Sequence, residues 1–229
     1  MTLAETMAAL ESMGTAQNRK VYARHGYPAA TFGVSYANLG KLAKRIRKDH
    51  DLAVALWGAG NSDARALALM VADPDAASEA EIDAWMADTC YYVLAGALAG
   101  YVHKTRFAQK KRKQWTGAKE EFTRQAGWDL VAHAAMQDDS LDDAYFERQL
   151  ETIEKKIGRT PPNRVRHAMN SALIAIGVRN PRLRKLAEAA AGRIGKVEVD
   201  HGETGCKTPD AVSYIARTMA RSAKRSRPR

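Results

Sequence analysis

Apolar residues recur along this chain at spacings of three and four, as in Leu39, Leu42, Ala43 and Ile46, and again in Leu183, Leu186, Ala187, Ala190 and Ile194. That period gathers them on one stripe of a helix. Alternation with period two is nearly absent, and its one example, Val197-Glu198-Val199, is too short to found a sheet. The pattern predicts an all-α protein of roughly ten helices, counted from start and stop signals. Ser35 can cap a run to Asp49, Asn61 or Ser62 a run to Ala72, and Ser78 a run into Ala87, while Pro161 and Pro181 suit first turns. Gly14, Gly26, Gly58, Gly158 and Gly195 mark helix ends. No Gly/Ser/Pro linker separates two halves, which predicts a single domain over 1–220 and a disordered basic tail over 221–229.

Three segments resemble one another: Asn61 to Ala72 with Arg65, Glu121 to Ala132 with Arg124, and Asn163 to Ile174 with Arg166. Each sets an arginine just ahead of an apolar helical run. Degenerate HEAT-like repeats follow, and such repeats stack into a solenoid whose concave face suits an extended ligand.

Composition narrows the class. With 45% hydrophobic and 27% charged residues and only 7 prolines in 229 positions, the chain is globular rather than disordered or collagen-like. The longest low-charge stretch, Thr89 to Val102, is too short to span a bilayer, and the N-terminus lacks a secretory signal pattern, so a cytoplasmic, nucleoid-associated protein is expected, with no membrane partner. Cys90 and Cys206 are expected to be free thiols.

The net charge is +10, and it divides between a tail beyond Asp210 that carries +6 and a body that carries +4. A basic balance spread over both favours a polyanionic partner, most often nucleic acid. Two runs stand out. Lys41, Lys44, Arg45 and Lys48 share one side of a helix whose other side holds Leu42 and Ile46. Lys104, Arg106, Lys110, Lys111, Arg112 and Lys113 put six cations in ten positions, with Phe107 and Trp115 interleaved. These ten residues, with Arg124 and Arg166, are the candidate phosphate contacts. A solvated helix face is the alternative for each run, and a structural ladder binding carbonyls between repeats is the alternative for each repeat arginine.

If one helix runs through residue 85, then Trp85, Asp88 and Tyr92 at i, i+3 and i+7 share a face, with Tyr91 beside them. A carboxylate is out of place on a DNA-facing surface unless it serves a cationic or cation-forming target, and pairing with an arginine is the other reading of Asp88. Trp128 lies one turn from Arg124, as Asn170 does from Arg166. The segment Asp200 to Cys206 holds four groups able to ligate a metal, but no second Cys/His pair completes a zinc site. It reads as a polar turn leading into a helix from Pro209 with Thr208 as cap. No metal and no organic cofactor are expected. No GxSxG, P-loop, dinucleotide fingerprint or HExxH occurs.

The stretch Tyr27 to Lys44, with its Gly33-Val34, Leu39 and Ala43-Lys44, resembles the entry segment of the AlkD-like DNA alkylation repair family, the HEAT-like-repeat alkylpurine-DNA glycosylases. The likeness continues through Leu56-Trp57, Arg65 to Leu69, Trp85 to Gly100, and Arg166 to Leu173, covering roughly residues 20 to 195. It implies a concave basic groove around duplex DNA, a monomer, and hydrolysis of the N-glycosidic bond of an N3- or N7-alkylated purine. Asp88 matches the catalytic aspartate, which stabilises positive charge developing on the sugar while water attacks. Trp85, Tyr91, Tyr92, Trp128 and Asn170 are the implied base contacts. Two positions depart from the pattern: the first family tryptophan falls at Ala84, and the second at or near Asn170 and Ser171. A family relative that binds nucleic acid without catalysis is the alternative, and a helical-repeat binder of an acidic protein is a third reading.

Overall fold

The computed structural model describes residues 1–225, with side chains described as far as Arg221. Thirteen α-helices and one 3-10 turn account for its regular structure, with no strand among the described residues. In order they are α1 (Leu3–Met13), α2 (Ala16–Arg24), α3 (Tyr36–Ile46), α4 (His50–Gly58), α5 (Ser62–Val71), α6 (Glu79–Ala87), α7 (Tyr92–Val102), α8 (Ala108–Trp115), α9 (Glu121–Gln137) and α10 (Asp143–Lys156). The 3-10 turn (Ile157–Arg159), α11 (Asn163–Arg179), α12 (Pro181–Ile194) and α13 (Ala211–Arg225) follow.

The capping signals act where the sequence places them. Ser35 accepts from the Asn38 amide, Asn61 from those of Asp63 and Ala64, and Ser78 from Glu81, each satisfying N–H groups a helix start leaves open. Pro181 stands in the first turn of α12, whereas Pro161 lies in the link before α11. The run from Ser35 ends at Ile46 rather than at Asp49, because Arg47 turns to φ 67 and Asp49 caps α4. Thr208 bonds His201 instead of capping, and Asp210 accepts from the Ser213 amide at the start of α13. Helix α13 continues to Arg225, so residues 221–225 prolong it where a disordered tail is expected; residues 226–229 lie outside the described residues.

Where one domain is expected over 1–220, the chain sorts into two compact units, 1–109 with 202–204, and 110–201 with 205–229. In the first, α3, α5 and α7 lie side by side, with α4 against α5 and α6 against α7. Leu39, Leu42, Leu56, Leu67, Leu94 and Leu98 are buried there, each contributing about 1.5–3 kcal/mol by leaving water. The loop before α3 is fastened by buried Asp63. Its carboxylate accepts from the Thr31 hydroxyl at 2.7 Å and from the amides of Phe32, Gly33 and Val34 at 2.6–3.1 Å. Gly33 sits at φ +79 with its Cα hydrogen facing the Thr15 carbonyl, where a Cβ would approach to 2.6 Å, so only glycine fits.

In the second unit α9, α11 and α13 are successive neighbours, with α10 and α12 packed beside α11 and against each other. Their shared core joins Phe146, Leu150 and Ile153 to Val165, Met169, Leu173, Ile176 and Leu183. Arg179 closes the α9–α10 link, donating to the carbonyls of Ala135 and Asp138 at 2.9 Å and of Leu141 at 3.2 Å, with its guanidinium over Phe146. Each unit is thus a two-layer stack of helical pairs, and Arg65, Arg124 and Arg166 each lie in the first turns of a helix, α5 in the first unit and α9 and α11 in the second.

Candidate nucleic-acid interface

The helix read through residue 85 is interrupted. Helix α6 ends at Ala87, Asp88 is its C-cap, and the Thr89 hydroxyl turns back to the Trp85 carbonyl before α7 begins at Tyr92. Trp85, Asp88 and Tyr92 therefore share no helix face. Trp85 is 3% exposed, stacked on Trp57 at 4.6 Å and tilted against Tyr101. It packs the core of the first unit and presents no ring to a ligand. Tyr91 is likewise buried, 4.3 Å from Tyr27, and burial raises its hydroxyl pKa. Tyr92 is partly buried and bonds His25 Nδ1 through its hydroxyl. In the second unit, Trp128 and Asn170 are both 2% exposed, and the Asn170 amide donates to the Pro209 carbonyl. Of the five implied base contacts, four are interior groups.

Asp88 itself is at the surface, with half of its side chain exposed. Its Oδ2 accepts from Trp57 Nε1 at 3.0 Å and from Arg65 Nη2 at 3.2 Å, and Arg65 Nη1 donates to the Asp88 carbonyl. The Arg65 guanidinium also lies over the Trp57 ring and donates through Nε to the Trp57 carbonyl. The carboxylate is thus fixed and partnered by a cation, while Oδ1 has no partner among the described residues. An aromatic patch that the sequence reading missed lies in the same unit. Tyr22 stacks on Tyr27 at 4.6 Å, and the Tyr27 hydroxyl bonds that of Tyr36, which is 41% exposed. Eight tyrosines spread through a helical chain carry no periodic mark of such clustering.

The cations divide by burial. Lys41, Lys44, Arg45, Lys48, Lys104, Arg106, Lys110 and Lys113 are exposed. Lys111 and Arg112 are not: they are 1% and 3% exposed, and Arg112 lies over the Tyr145 ring and 3.9 Å from Asp138. These two leave the phosphate set, and their burial explains how six cations crowd ten positions. Arg166 leaves it too, since it donates to the carbonyls of Thr160, Pro161 and Glu198 and to Asn163 Oδ1. That is the ladder role. Arg124 is partly buried, and its Nε is buried with no hydrogen-bond partner.

The structure gathers Lys44 and Lys48 from the first basic run with Lys104 from the second, around a pocket of about 370 Å³ in the first unit. Arg47, turned by its positive φ, is a fourth cation on its rim, and Leu69 to Ala72, Pro74 and Tyr101 form the remaining wall. Lys48 pairs with Asp73 at 2.9 Å, whereas Lys44, Arg47 and Lys104 have no acidic partner among the described residues. Helices α3, α5 and α7 all end here, so these cations also face the negative ends of three helix dipoles. The arrangement offers several donors to an anion on a partly apolar floor. The Asp200 to Cys206 segment joins no group of three metal-binding side chains among the described residues, and no helix there is long and apolar enough to cross a membrane.

A stack of paired helices is a HEAT-like-repeat architecture. The profile of the family described as DNA alkylation repair enzymes matches residues 6–221. This chain belongs to that DNA alkylation repair family. It is 29% identical over 218 residues to the Listeria innocua protein Lin0241, covering 93% of this chain and 95% of that one. It is 30% identical over 222 residues to Lmo0209 of Listeria monocytogenes, with the same coverage. A solved structure from a new family of proteins related to the HEAT-like repeat DNA glycosylases, with affinity for branched DNA structures, matches with a TM-score of 0.89. It is 27% identical and covers 97% of this chain and 95% of that one.

Proposed function

We propose that this protein is a monomeric, nucleoid-associated DNA-binding member of the alkylation repair family, holding branched or duplex DNA by its phosphates without excising bases. The observation that carries the reading is the pocket of Lys44, Arg47, Lys48 and Lys104, three of whose cations have no internal counter-charge. Such groups gain most from a polyanion, by releasing its condensed counterions. The preference for branched DNA rests on the relative of known structure, matched over nearly the whole chain. Against excision stand the burial of Trp85, Tyr91, Trp128 and Asn170, which leaves few rings to grip a base, and the Arg65 guanidinium on Asp88. A carboxylate already neutralised by a cation gives little extra stabilisation to a developing oxocarbenium ion.

Base excision is the second reading, favoured by one observation: Asp88 is surface-exposed and rigidly held, with Oδ1 open. Fluorescence anisotropy on a linear duplex and a four-way junction, at salt from 50 to 200 mM, tests the first reading. Tighter binding to the junction and an affinity that falls on the order of a thousandfold across that range, as for about six phosphates, are expected. Incubation with duplexes containing N7-methylguanine and N3-methyladenine should release no base. Release that disappears in Asp88→Asn establishes the second reading instead.

A further inference from the structure

We propose that the link between α12 and α13 is a pH-operated latch, closed on α11 while His167 is neutral and released when that ring takes up a proton. The inference does not depend on the DNA-binding reading. It concerns the two stretches of the link that belong to the second unit, 196–201 and 205–210.

Helix α11 spends a polar stripe on this link. Asn163, Arg166, His167 and Asn170 lie at i, i+3, i+4 and i+7, on one side of the helix. Asn163 is bonded both ways to the Asp200 backbone: its Oδ1 accepts from the amide at 2.9 Å and its Nδ2 donates to the carbonyl. Arg166 Nε donates to the Glu198 carbonyl at 2.9 Å, and Asn170 Nδ2 donates to the Pro209 carbonyl at 3.0 Å. Within the link, His201 Nε2 meets the Thr208 hydroxyl at 2.9 Å and ties one stretch to the other. His167 is the member of the stripe whose charge changes near neutral pH. It meets the link ring to ring, its centroid 5.5 Å from that of His201 and the two planes nearly perpendicular.

The surroundings of His167 make it the trigger. Its Nδ1 is buried with no hydrogen-bond partner. With a single proton on Nε2, that nitrogen is a bare acceptor; a second proton turns it into a buried, unanswered N–H. Burial first, and then His201 and Arg164, hold the His167 pKa below its ordinary value of 6.5. Arg164 also acts on His201, where Asp200 pulls the other way. Helix α9 brings Glu121 to this end of α11, where it accepts from the Arg164 amide at 2.7 Å, and α13 opens with Asp210, which accepts from the Ser213 amide. Of α9, α10, α12, α13 and the 3-10 turn, all packed on α11, none brings a charge that offsets Arg164 at His167. The closed link therefore holds the proton more weakly than the open one, in which the ring regains its ordinary pKa. Closure is at full strength above about 6.5 and weakens as pH falls from there through the lower folded value. Release frees Arg166 and Asn170, which the closed link spends on carbonyls.

The test follows the full chain by NMR from pH 8 to 4.5, beside His167→Gln and His201→Gln. The His167 Cε1–H signal reports the ring, while the Asp200 amide and the Asn170 side-chain amide report the two stretches of the link. All three should move in wild type with one midpoint below 6.5. Hydrogen exchange of the Asp200 amide, corrected for the intrinsic effect of pH, should quicken about tenfold per pH unit between the ordinary and folded values. In His167→Gln both link signals should hold their pH 8 positions, with the fold verified by far-UV circular dichroism. The transition should persist in His201→Gln, which separates release of the link from the charge of the neighbouring ring. A wild-type ring that titrates while the link signals stay fixed overturns the latch, and so does a ring still neutral at pH 4.5 over a closed link. An unchanged transition in His167→Gln, or its loss in His201→Gln, overturns His167 as the trigger. The wild-type coincidence of midpoints is read without any variant, so it decides the question even where a variant fails to fold.

Discussion

The two units contain the same sequence device and use it differently. In the first, Arg65 opens α5 and is saturated by Asp88, the Trp57 carbonyl and the Trp57 ring. In the second, Arg166 opens α11 and is saturated by three carbonyls and an amide oxygen, while Arg124 opens α9 with a buried, unpartnered Nε. An arginine ahead of an apolar run marks a place in the repeat. Its role is decided by what the neighbouring links bring to it: a helix end that exposes carbonyls makes Arg166 structural, whereas a helix end ringed with lysines offers Arg124 no acceptor.

The largest test of this contrast removes the polar device of the first unit. Asp63→Ala leaves the amides of Phe32 and Val34 and the Thr31 hydroxyl unanswered and the Gly33 amide with Thr31 Oγ1 alone, at about 1–3 kcal/mol each for the fully buried groups. A loss of roughly 4 kcal/mol or more in urea unfolding, with early hydrogen exchange at residues 32–34, is expected. Next, Arg166→Met should cost about 2–3 kcal/mol, since it orphans carbonyls, whereas Arg124→Met should stay within about 0.5 kcal/mol of wild type. Equal losses would erase the distinction between the two arginines. Inside the second basic run, Arg112→Ala should lower stability by about 2 kcal/mol, through its ring and carboxylate partners, and leave DNA affinity per folded molecule unchanged. Lys113→Ala should do the reverse.

The smallest effect is a gain. Asp129 of α9 has Gln125 as a hydrogen-bond partner, and burial pushes its carboxyl up to about 6. Its folded pKa lies above the unfolded value near 3.8, so ionisation opposes folding. The favourable contribution is full below that value and lost as pH rises through about 6. Asp129→Asn should match wild type at pH 4 and melt higher at pH 8, by roughly 2–4 °C for each kcal/mol that the neutral side chain saves. A pH-independent difference would contradict the assignment.

Helices and their caps were legible because their signals are local: Ser35, Asn61, Ser78 and Pro181 act within three residues of themselves. The cationic character of the pocket was legible in Lys44, Lys48 and Lys104, though not their meeting, which depends on how α3, α5 and α7 end. Arg47 stood in the run but off its stripe, and only the break at φ 67 aims it there. The aromatic assignments failed for a physical reason. A continuous helix was assumed over 85–92, yet the turn at Asp88 to Tyr91 contains no glycine or proline to announce it. Lys111 and Arg112 could not be read as buried, because Asp138 and Tyr145, which receive Arg112, lie far along the chain.

The fastening of the 31–34 loop by Asp63 also sets a schedule for synthesis. Gly33 leaves the ribosome 30 residues before the carboxylate that it needs. At 5–20 residues per second this is a wait of roughly 2–6 s. During it α1, α2 and their following loop, already synthesised, stand as an unfinished segment. Helices α1 and α2 are therefore translated before α5 but docked only after it has begun, and the interval between those events is when a chaperone would meet them.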